Sequence, residues 1–120
     1  MKILVDVNIY IDVLTKRAGW EESVRVLNLV RNAPEVEGWA SALTVPLLYF
    51  FRLRSAGERQ ARADAQASVQ GFCLVSLSEE IMSNALASAL PDFEDSIQLS
   101  ILTPEEWLLV TAVAQIEADL

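Results

Sequence analysis

Residues 1–15, MKILVDVNIYIDVLT, decide the fold of this chain. Residues 3–5 form a short apolar run, which is typical of a strand buried on both faces of an α/β sheet. The run ends directly on Asp6, and residues 7–14 continue with an apolar pattern of helical spacing. Open α/β sheets hold their sites at this end of a strand, and a buried carboxylate there needs a metal ion or hydrogen-bond donors. We expect Asn8 to be the N-cap of the following helix, and a solvated turn acid at Asp6 is the alternative interpretation.

The rest of the chain alternates predicted helices and strands. The periodicity predicts helices at 20–31 and 58–69 and strands at 38–41 and 72–75. Between them, a helix is predicted to start at an N-cap Thr44 and to break at Gly57. A further helix is predicted to be capped by Ser78 and to bury four apolar side chains: Ile81, Met82, Ala85 and Leu86. Such alternation indicates a parallel sheet with helices on both faces. We therefore predict one α/β domain over residues 1–120.

Composition excludes several classes of site. The chain has one cysteine and no histidine, which excludes internal disulfides, cysteine zinc clusters and every histidine-based catalytic arrangement. Cys73 lies in an apolar run and is predicted to be a core residue, and a reducing cytoplasm is the expected location. No apolar segment is long enough to cross a bilayer. A hydrophobic content of 52% is high for a soluble domain and predicts apolar surface covered by another chain.

Charge is distributed unevenly along the chain. All nine basic residues lie within residues 1–62, whereas residues 63–120 carry ten acids and no base. Arginines cluster around the predicted turn at residues 55–57, at Arg52, Arg54, Arg59 and Arg62. A polyanion would be attracted to this cluster. The alternative is a solvated helical hairpin in which Glu58 and Asp64 pair with the arginines.

Three segments carry a resemblance to a known family. The first is the strand that ends in Asp6-x-Asn8, the second is SALTVPLLY at 41–49, and the third is DFEDSIQ at 92–98. Together with ILTPEEWL at 101–108, their order resembles that of the PIN-domain proteins, the fold of VapC-like toxin ribonucleases. The resemblance covers most of the chain, and DFEDSIQ is its most specific part.

The chain also departs from the family pattern. Relative to the family pattern, a few tens of residues are absent between the third acidic motif and the C-terminal helix, and an acid common in the second motif is Leu47 here. The resemblance therefore implies a three-layer α/β/α PIN-like domain with a short parallel sheet that lacks one family strand. We expect residues 99–102 of this chain, or a second chain, to pair beside the first strand.

The function that the resemblance implies is that of a Mg²⁺- or Mn²⁺-dependent endoribonuclease of toxin–antitoxin type, impaired by its missing acids. It implies catalytic and metal-binding roles for Asp6 and Asp95, a metal-binding role for Asp92, and weak binding of the cation. Asn8 and Thr44 are expected to support the site, and RNA is expected to bind at Arg52 and Arg54. The resemblance leaves Glu94 solvated. Local helix chemistry offers another interpretation of the third motif, in which Asp92 caps a helix and the acids Glu94 and Asp95 stabilise its first turn through the helix dipole, without a metal ion.

Two other functions stay open at this point. One is a catalytically inactive PIN-like module for binding or dimerisation, and the other is an acidic interaction domain whose acids only cap helices. The predicted terminal helix at 107–116 is apolar on most of its circumference, which predicts a covering partner. A homodimer is the default arrangement, and a small antitoxin is the alternative cover.

Overall fold

The computed structural model describes residues 1–102 and the short strand at 108–110. Its elements follow the chain in this order: β1 (Lys2–Val5), α1 (Val7–Thr15), α2 (Trp20–Asn32), β2 (Glu37–Ser41), α3 (Thr44–Ser68), β3 (Cys73–Val75), α4 (Glu79–Ala87), α5 (Phe93–Leu102) and β4 (Leu108–Val110). The described part of the chain contains no helix that is both long enough and apolar enough to cross a membrane.

The strands form one parallel sheet in the order β3-β2-β1-β4. Ile3 of β1 lies in register with Gly38 of β2 on one side and with Leu108 of β4 on the other. All carboxyl ends therefore meet at one edge of the sheet, where the residues after β1 and β2 come together. The predicted α/β fold with a short parallel sheet is confirmed.

The two faces of the sheet support two cores. Ile3 and Val5 belong to a cluster with α1, α2 and α3, whereas Leu4 packs on the other face with Ala85, Ile97 and Ile101. Because successive side chains of a strand point to opposite faces, the apolar run at 3–5 serves both cores. The result is the three-layer α/β/α arrangement expected from the sequence.

Gly38 brings helix α2 and the sheet into close contact. A Cβ atom built at Gly38 would lie 2.6 Å from Val30 Cγ1 and 2.8 Å from Phe72 Cδ1. Both neighbours belong to the core of this face. A larger residue at this position would push α2 away from β2.

Gly57 divides α3 into two helical halves. Its φ of 81° and ψ of 167° are not helical, and a positive φ is adopted readily only by glycine. The predicted break at Gly57 is therefore confirmed. The second half folds back so that Ala61 and Ala65 are buried.

Two predictions for the last segments were wrong. Residues 99–102 were expected to pair as a strand beside the first strand, but they end α5, because Ile97 and Ile101 recur at helical spacing and pack on Leu4. Residues 108–110 were expected in a helix, but they form β4 and take the place beside β1 that the sequence indicated was open. The predicted cap at 103–106 and the rest of the predicted terminal helix lie outside the described residues.

Two side chains predicted in the core are exposed. Leu86 is 73% exposed, because α4 turns only one narrow face, around Ala85, to the sheet. Cys73 is exposed because β3 is the edge strand of the sheet. Ile81 and Met82 of α4 are partly buried against the core of their face.

Candidate active site

Asp6 lies directly after β1 and is buried, with 7% of its surface exposed. Its Oδ1 atom accepts a hydrogen bond of 2.7 Å from the backbone N–H of Asn8, which makes Asp6 the N-cap of α1. Its Oδ2 atom accepts a hydrogen bond of 3.2 Å from Nε2 of Gln98 in α5. The carboxylate is thus held at the carboxyl edge of the sheet by one local donor and one distant donor.

Asn8 was predicted to be the N-cap, and this prediction was wrong. Asp6 precedes the helix and accepts from the second helical N–H, the usual geometry of an N-cap. Asn8 is the second residue of α1 and is exposed, and its Oδ1 atom accepts a long hydrogen bond of 3.4 Å from Arg17.

Thr44 lies at the same edge, after β2. It is the first residue of α3, and the N-cap is Leu43, so the prediction of Thr44 as the cap was wrong. Ser41 accepts the Leu43 N–H at 3.2 Å through Oγ and satisfies this turn instead. Thr44 is 1% exposed, and its Oγ1 atom has no hydrogen-bond partner among the described residues. A buried hydroxyl without a hydrogen-bond partner costs free energy.

Helix α5 brings the third acidic motif to this edge. Asp92 Oδ1 accepts hydrogen bonds from the backbone N–H groups of Glu94 at 2.9 Å and Asp95 at 3.2 Å. Asp92 therefore caps the helix, as the helix-chemistry interpretation expected. The capping bonds occupy one of its carboxylate oxygens and fix the first turn of α5.

Glu94 was expected to be solvated, and the structure corrects this expectation. Glu94 is half-buried, whereas Asp95 beside it is exposed. Burial raises the pKa of Glu94, and the negative charges of Asp92, Asp6 and Asp95 raise it further. Loss of hydration also raises the pKa of Asp95, followed by the charges of Asp92 and Asp6. The charge of Asp6 thus acts on both acids of the first turn of α5.

A narrow cleft joins these elements. Its lining is shared by α1, β2, α3 and α5: Val7, Ser41, Leu43, Thr44, Leu47, Glu94, Ile97 and Gln98. Its free volume is about 10 Å³, close to the space needed by one water molecule. We call this space, together with the Asp6 carboxylate held by Gln98, the acidic cleft.

The donors of the acidic cleft suit a hard divalent cation. All of them are oxygen atoms of carboxylate, hydroxyl or amide groups, the type that Mg²⁺ and Mn²⁺ prefer. Within the described residues no group of three acidic or cysteine side chains is arranged to hold a metal ion. Mg²⁺, however, commonly binds through one or two carboxylates and completes its shell with water. The carboxylate of Asp6 and the Oγ1 atom of Thr44, which has no partner among the described residues, are oxygen ligands of this type.

The arginines proposed for substrate binding lie in α3. Arg52 donates through Nε to Asp64 Oδ2 at 2.8 Å, which links the two halves of the helix across Gly57. Arg54 is exposed. Arg62 pairs with Glu58 one turn earlier, at 2.9 Å. The solvated-hairpin interpretation therefore describes Arg52 and Arg62, and Arg54 presents its charge to solvent.

No protein-family model and no curated protein matches the chain. Solved structures do resemble it. A chain of VapBC2 from Rickettsia felis, crystallised bound to a DNA fragment from their promoter, is 13% identical with a TM-score of 0.69, and the match covers 98% of this chain and 92% of that one. VapC20 from Mycobacterium tuberculosis, a toxin that cleaves the sarcin–ricin loop, is 14% identical with a TM-score of 0.66, covering 85% and 82%.

A third similar structure is a toxin–antitoxin complex from Klebsiella pneumoniae. It is 21% identical with a TM-score of 0.65, and the match covers 91% of this chain and 84% of that chain. At these identities the likeness is one of fold. The chain has the VapC-like PIN fold, as the resemblance of its motifs implied.

Proposed function

We propose that the protein is a divalent-metal-dependent endoribonuclease, the toxin of a toxin–antitoxin pair. One observation carries the proposal: a buried carboxylate, Asp6, is held by Gln98 at the carboxyl edge of the sheet, at the same edge as the unpartnered hydroxyl of Thr44. The VapC-like PIN fold adds support, because two of its structural neighbours are described as a toxin that cleaves the sarcin–ricin loop and as a toxin–antitoxin complex.

The roles of the side chains follow from their positions. Asp6 is the principal ligand, and Asp95 binds the cation from the rim of the acidic cleft, with Asp92 beside it. Asn8 and Thr44 support the site. A Mg²⁺ or Mn²⁺ ion held there would supply a bound water of lowered pKa and positive charge beside the scissile phosphate.

The acids of the cleft repel a phosphate unless a cation neutralises them, so RNA binding depends on positive charge elsewhere. Arg54 is available for the RNA backbone because it is exposed, and Arg52 contributes while it remains paired with Asp64. The C-terminal half of the chain contains no basic residue. RNA is therefore expected to approach over the first half of α3.

An inactive binding module is the second candidate, favoured by one observation. Leu47 lines the acidic cleft and offers no ligand atom, so the cation is bound weakly. Leu47→Glu is expected to raise Mn²⁺ affinity if weak binding is what limits the enzyme. A Leu47→Glu protein that binds Mn²⁺ tightly and still leaves RNA intact would favour the inactive module.

The partners proposed for the chain are a small antitoxin and a second copy of itself, in the cytoplasm. Two concave surfaces support a protein partner. A cavity of about 360 Å³ between α1, α2 and α3 includes the buried Tyr10, whose hydroxyl has no partner among the described residues. A groove of about 530 Å³ along α3 exposes Phe50 and Leu74. Large exposed apolar surfaces mark protein contacts.

The experiment is RNA cleavage by the purified chain in Mg²⁺ or Mn²⁺, with EDTA and Asp6→Asn as controls. The proposal expects slow cleavage that needs the cation and is lost in both controls. Cleavage that survives EDTA or Asp6→Asn would contradict it. Light scattering on the same sample tests the dimer, for which a monodisperse monomer at micromolar concentration is the opposing result.

A further inference from the structure

The cavity between α1, α2 and α3 lies apart from the acidic cleft, and the two share no lining residue. Its free volume is about 360 Å³, which is within the range of pockets that hold small organic molecules. The buried side chains of Tyr10 and Leu27 line it, together with the half-buried side chains of Val13 and Leu14. The cavity therefore offers an apolar wall to a ligand.

Tyr10 adds a hydrogen-bond donor to this apolar lining. Its side chain is 0% exposed, and its hydroxyl has no hydrogen-bond partner among the described residues. Burial raises the pKa of Tyr10, so the hydroxyl keeps its proton at neutral pH and can donate it. A buried donor without an acceptor costs free energy, and a bound molecule with an acceptor atom would remove this cost.

Arg31, another lining residue, lies beside Tyr10. Both pack against Phe72: the ring centroids of Tyr10 and Phe72 are 5.4 Å apart, and the guanidinium carbon of Arg31 lies 5.1 Å from the centroid of Phe72. The positive charge of Arg31 lowers the pKa of Tyr10 and so opposes the effect of burial. The arginine therefore acts electrostatically on the Tyr10 hydroxyl.

The charge of Arg31 has no acidic partner among the described residues. Arg31 donates hydrogen bonds to two backbone carbonyls, that of Gln70 at 2.8 Å and that of Ser68 at 3.0 Å, and both acceptors are neutral. Arg52 also lines the cavity, but it pairs with Asp64. The lining thus combines one positive charge without a carboxylate partner, one hydroxyl without an acceptor, and an apolar wall.

We propose that this cavity binds a small organic acid: one carboxylate on an apolar body. The carboxylate accepts a hydrogen bond from the Tyr10 hydroxyl and is attracted by Arg31, and the apolar body packs on Val13 and Leu14. A bound water would give the hydroxyl an acceptor, but it would leave the positive charge and the apolar wall without a partner. The inference goes beyond the proposed function and does not depend on it, since the groove along α3 remains for a protein partner.

The test is isothermal titration of the full chain with octanoate at neutral pH, repeated in an excess of octylammonium, which has the same length and the opposite charge. Because the net charge of the chain is −8, octanoate is not attracted to the surface in general. The variants are Tyr10→Phe and Arg31→Gln, with Tyr49→Phe as the matched control. Tyr49 lines the groove along α3, so its variant loses a hydroxyl outside the cavity. Circular dichroism checks that each variant is folded.

Octanoate is expected to bind, and octylammonium is expected not to displace it. Tyr10→Phe should weaken octanoate binding by about tenfold, the effect of one hydrogen bond to a charged group, and Arg31→Gln by a similar factor. Tyr49→Phe should leave the affinity unchanged. If Arg31→Gln does not fold, Tyr10→Phe decides, because it removes only a hydroxyl that has no partner among the described residues. The proposal is overturned if octanoate does not bind, if octylammonium displaces it, or if Tyr10→Phe and Tyr49→Phe have the same affinity.

Discussion

Acids that pair with arginines and acids at the carboxyl edge of the sheet have different electrostatic environments in this fold. Within the described residues, each of three helical acids has an arginine partner: Asp12 with Arg17, Glu58 with Arg62, and Asp64 with Arg52. Asp6, Glu94 and Asp95 take part in no such pair. The arginine bound to Asp64, with Gln60 second, lowers the pKa of that carboxyl, whereas the pKa values of Glu94 and Asp95 are raised.

This difference in pairing suggests different roles for the two sets of acids. A paired surface acid contributes modestly to folding, and its role ends there. Unpaired acids that repel one another destabilise the folded chain, and they persist where a bound ion relieves the repulsion. Under the proposed function, a bound cation is what relieves the repulsion between the acids of the acidic cleft.

The largest expected effect comes from the group that orients Asp6. Gln98→Leu removes the donor to Asp6 Oδ2 and should weaken Mn²⁺ binding by about 10- to 100-fold, as for other groups that orient a metal ligand. Isothermal titration with Mn²⁺ measures it. Ser100→Ala is the control, because Ser100 is also buried in α5 but bonds only to the Ser96 carbonyl. Equal Mn²⁺ affinities for the two variants would contradict the role of Gln98.

A smaller effect is expected at Thr44, where removing a buried hydroxyl should weaken Mn²⁺ binding without destabilising the metal-free chain. Thr44→Val removes a buried hydroxyl that has no partner among the described residues, so the metal-free chain should be unchanged or more stable by about 1 kcal/mol. The same variant should bind Mn²⁺ more weakly. Urea unfolding with and without Mn²⁺ measures both effects.

Thr15→Val is the matched control for Thr44. Its hydroxyl donates to the Ile11 carbonyl at 2.7 Å, so its loss should destabilise the chain by about 1 kcal/mol and leave Mn²⁺ binding unchanged. Destabilisation of the metal-free chain by Thr44→Val would show that this hydroxyl is satisfied in the folded protein.

Much of the fold was predictable because local patterns agree with long-range packing. The apolar run at 3–5, the periodic helix at 20–31 and the break at Gly57 each have a physical cause within the chain. The end of the chain was harder, because residues 108–110 are apolar enough for either a helix or a strand. They pair with β1, and such long-range pairing overrides local propensity.

The candidate site was predictable only in part, for a similar reason. Asp6 was found because an acid directly after a buried strand is unusual. Gln98 lies 92 residues from Asp6, and no local signal links the two. Which of the two acids Glu94 and Asp95 is half-buried depends on the rotation of α5 against the sheet, and sequence spacing alone does not determine this rotation. The sequence carried one indication of this rotation: Ile97 and Ile101 are apolar residues at helical spacing, and they mark the buried face of α5.

The smallest effect is expected among the acids that pair with arginines. Asp64→Asn should lower the free energy of unfolding by about 0.5 kcal/mol at neutral pH, because the Arg52–Asp64 pair is partly exposed. The pKa of Asp64 is lowered in the folded chain, so its contribution is present above the unfolded pKa and is lost as the pH falls through the folded pKa. Urea unfolding of both proteins across the acidic range measures it. If the two free energies of unfolding still differ in strong acid, the difference does not come from the Arg52–Asp64 ion pair.

The comparison is tested most directly by the Mn²⁺-induced shift in melting temperature of three proteins: the unaltered chain, Asp6→Asn and Asp12→Asn. Asp12 lies on the helix that Asp6 caps, but it is bound by Arg17 and Ser23. A ligand that binds only the folded state raises the melting temperature. Mn²⁺ should therefore raise it for the unaltered chain and for Asp12→Asn, and leave Asp6→Asn unchanged. An equal rise for Asp6→Asn would contradict the assignment of the acidic cleft as a cation site.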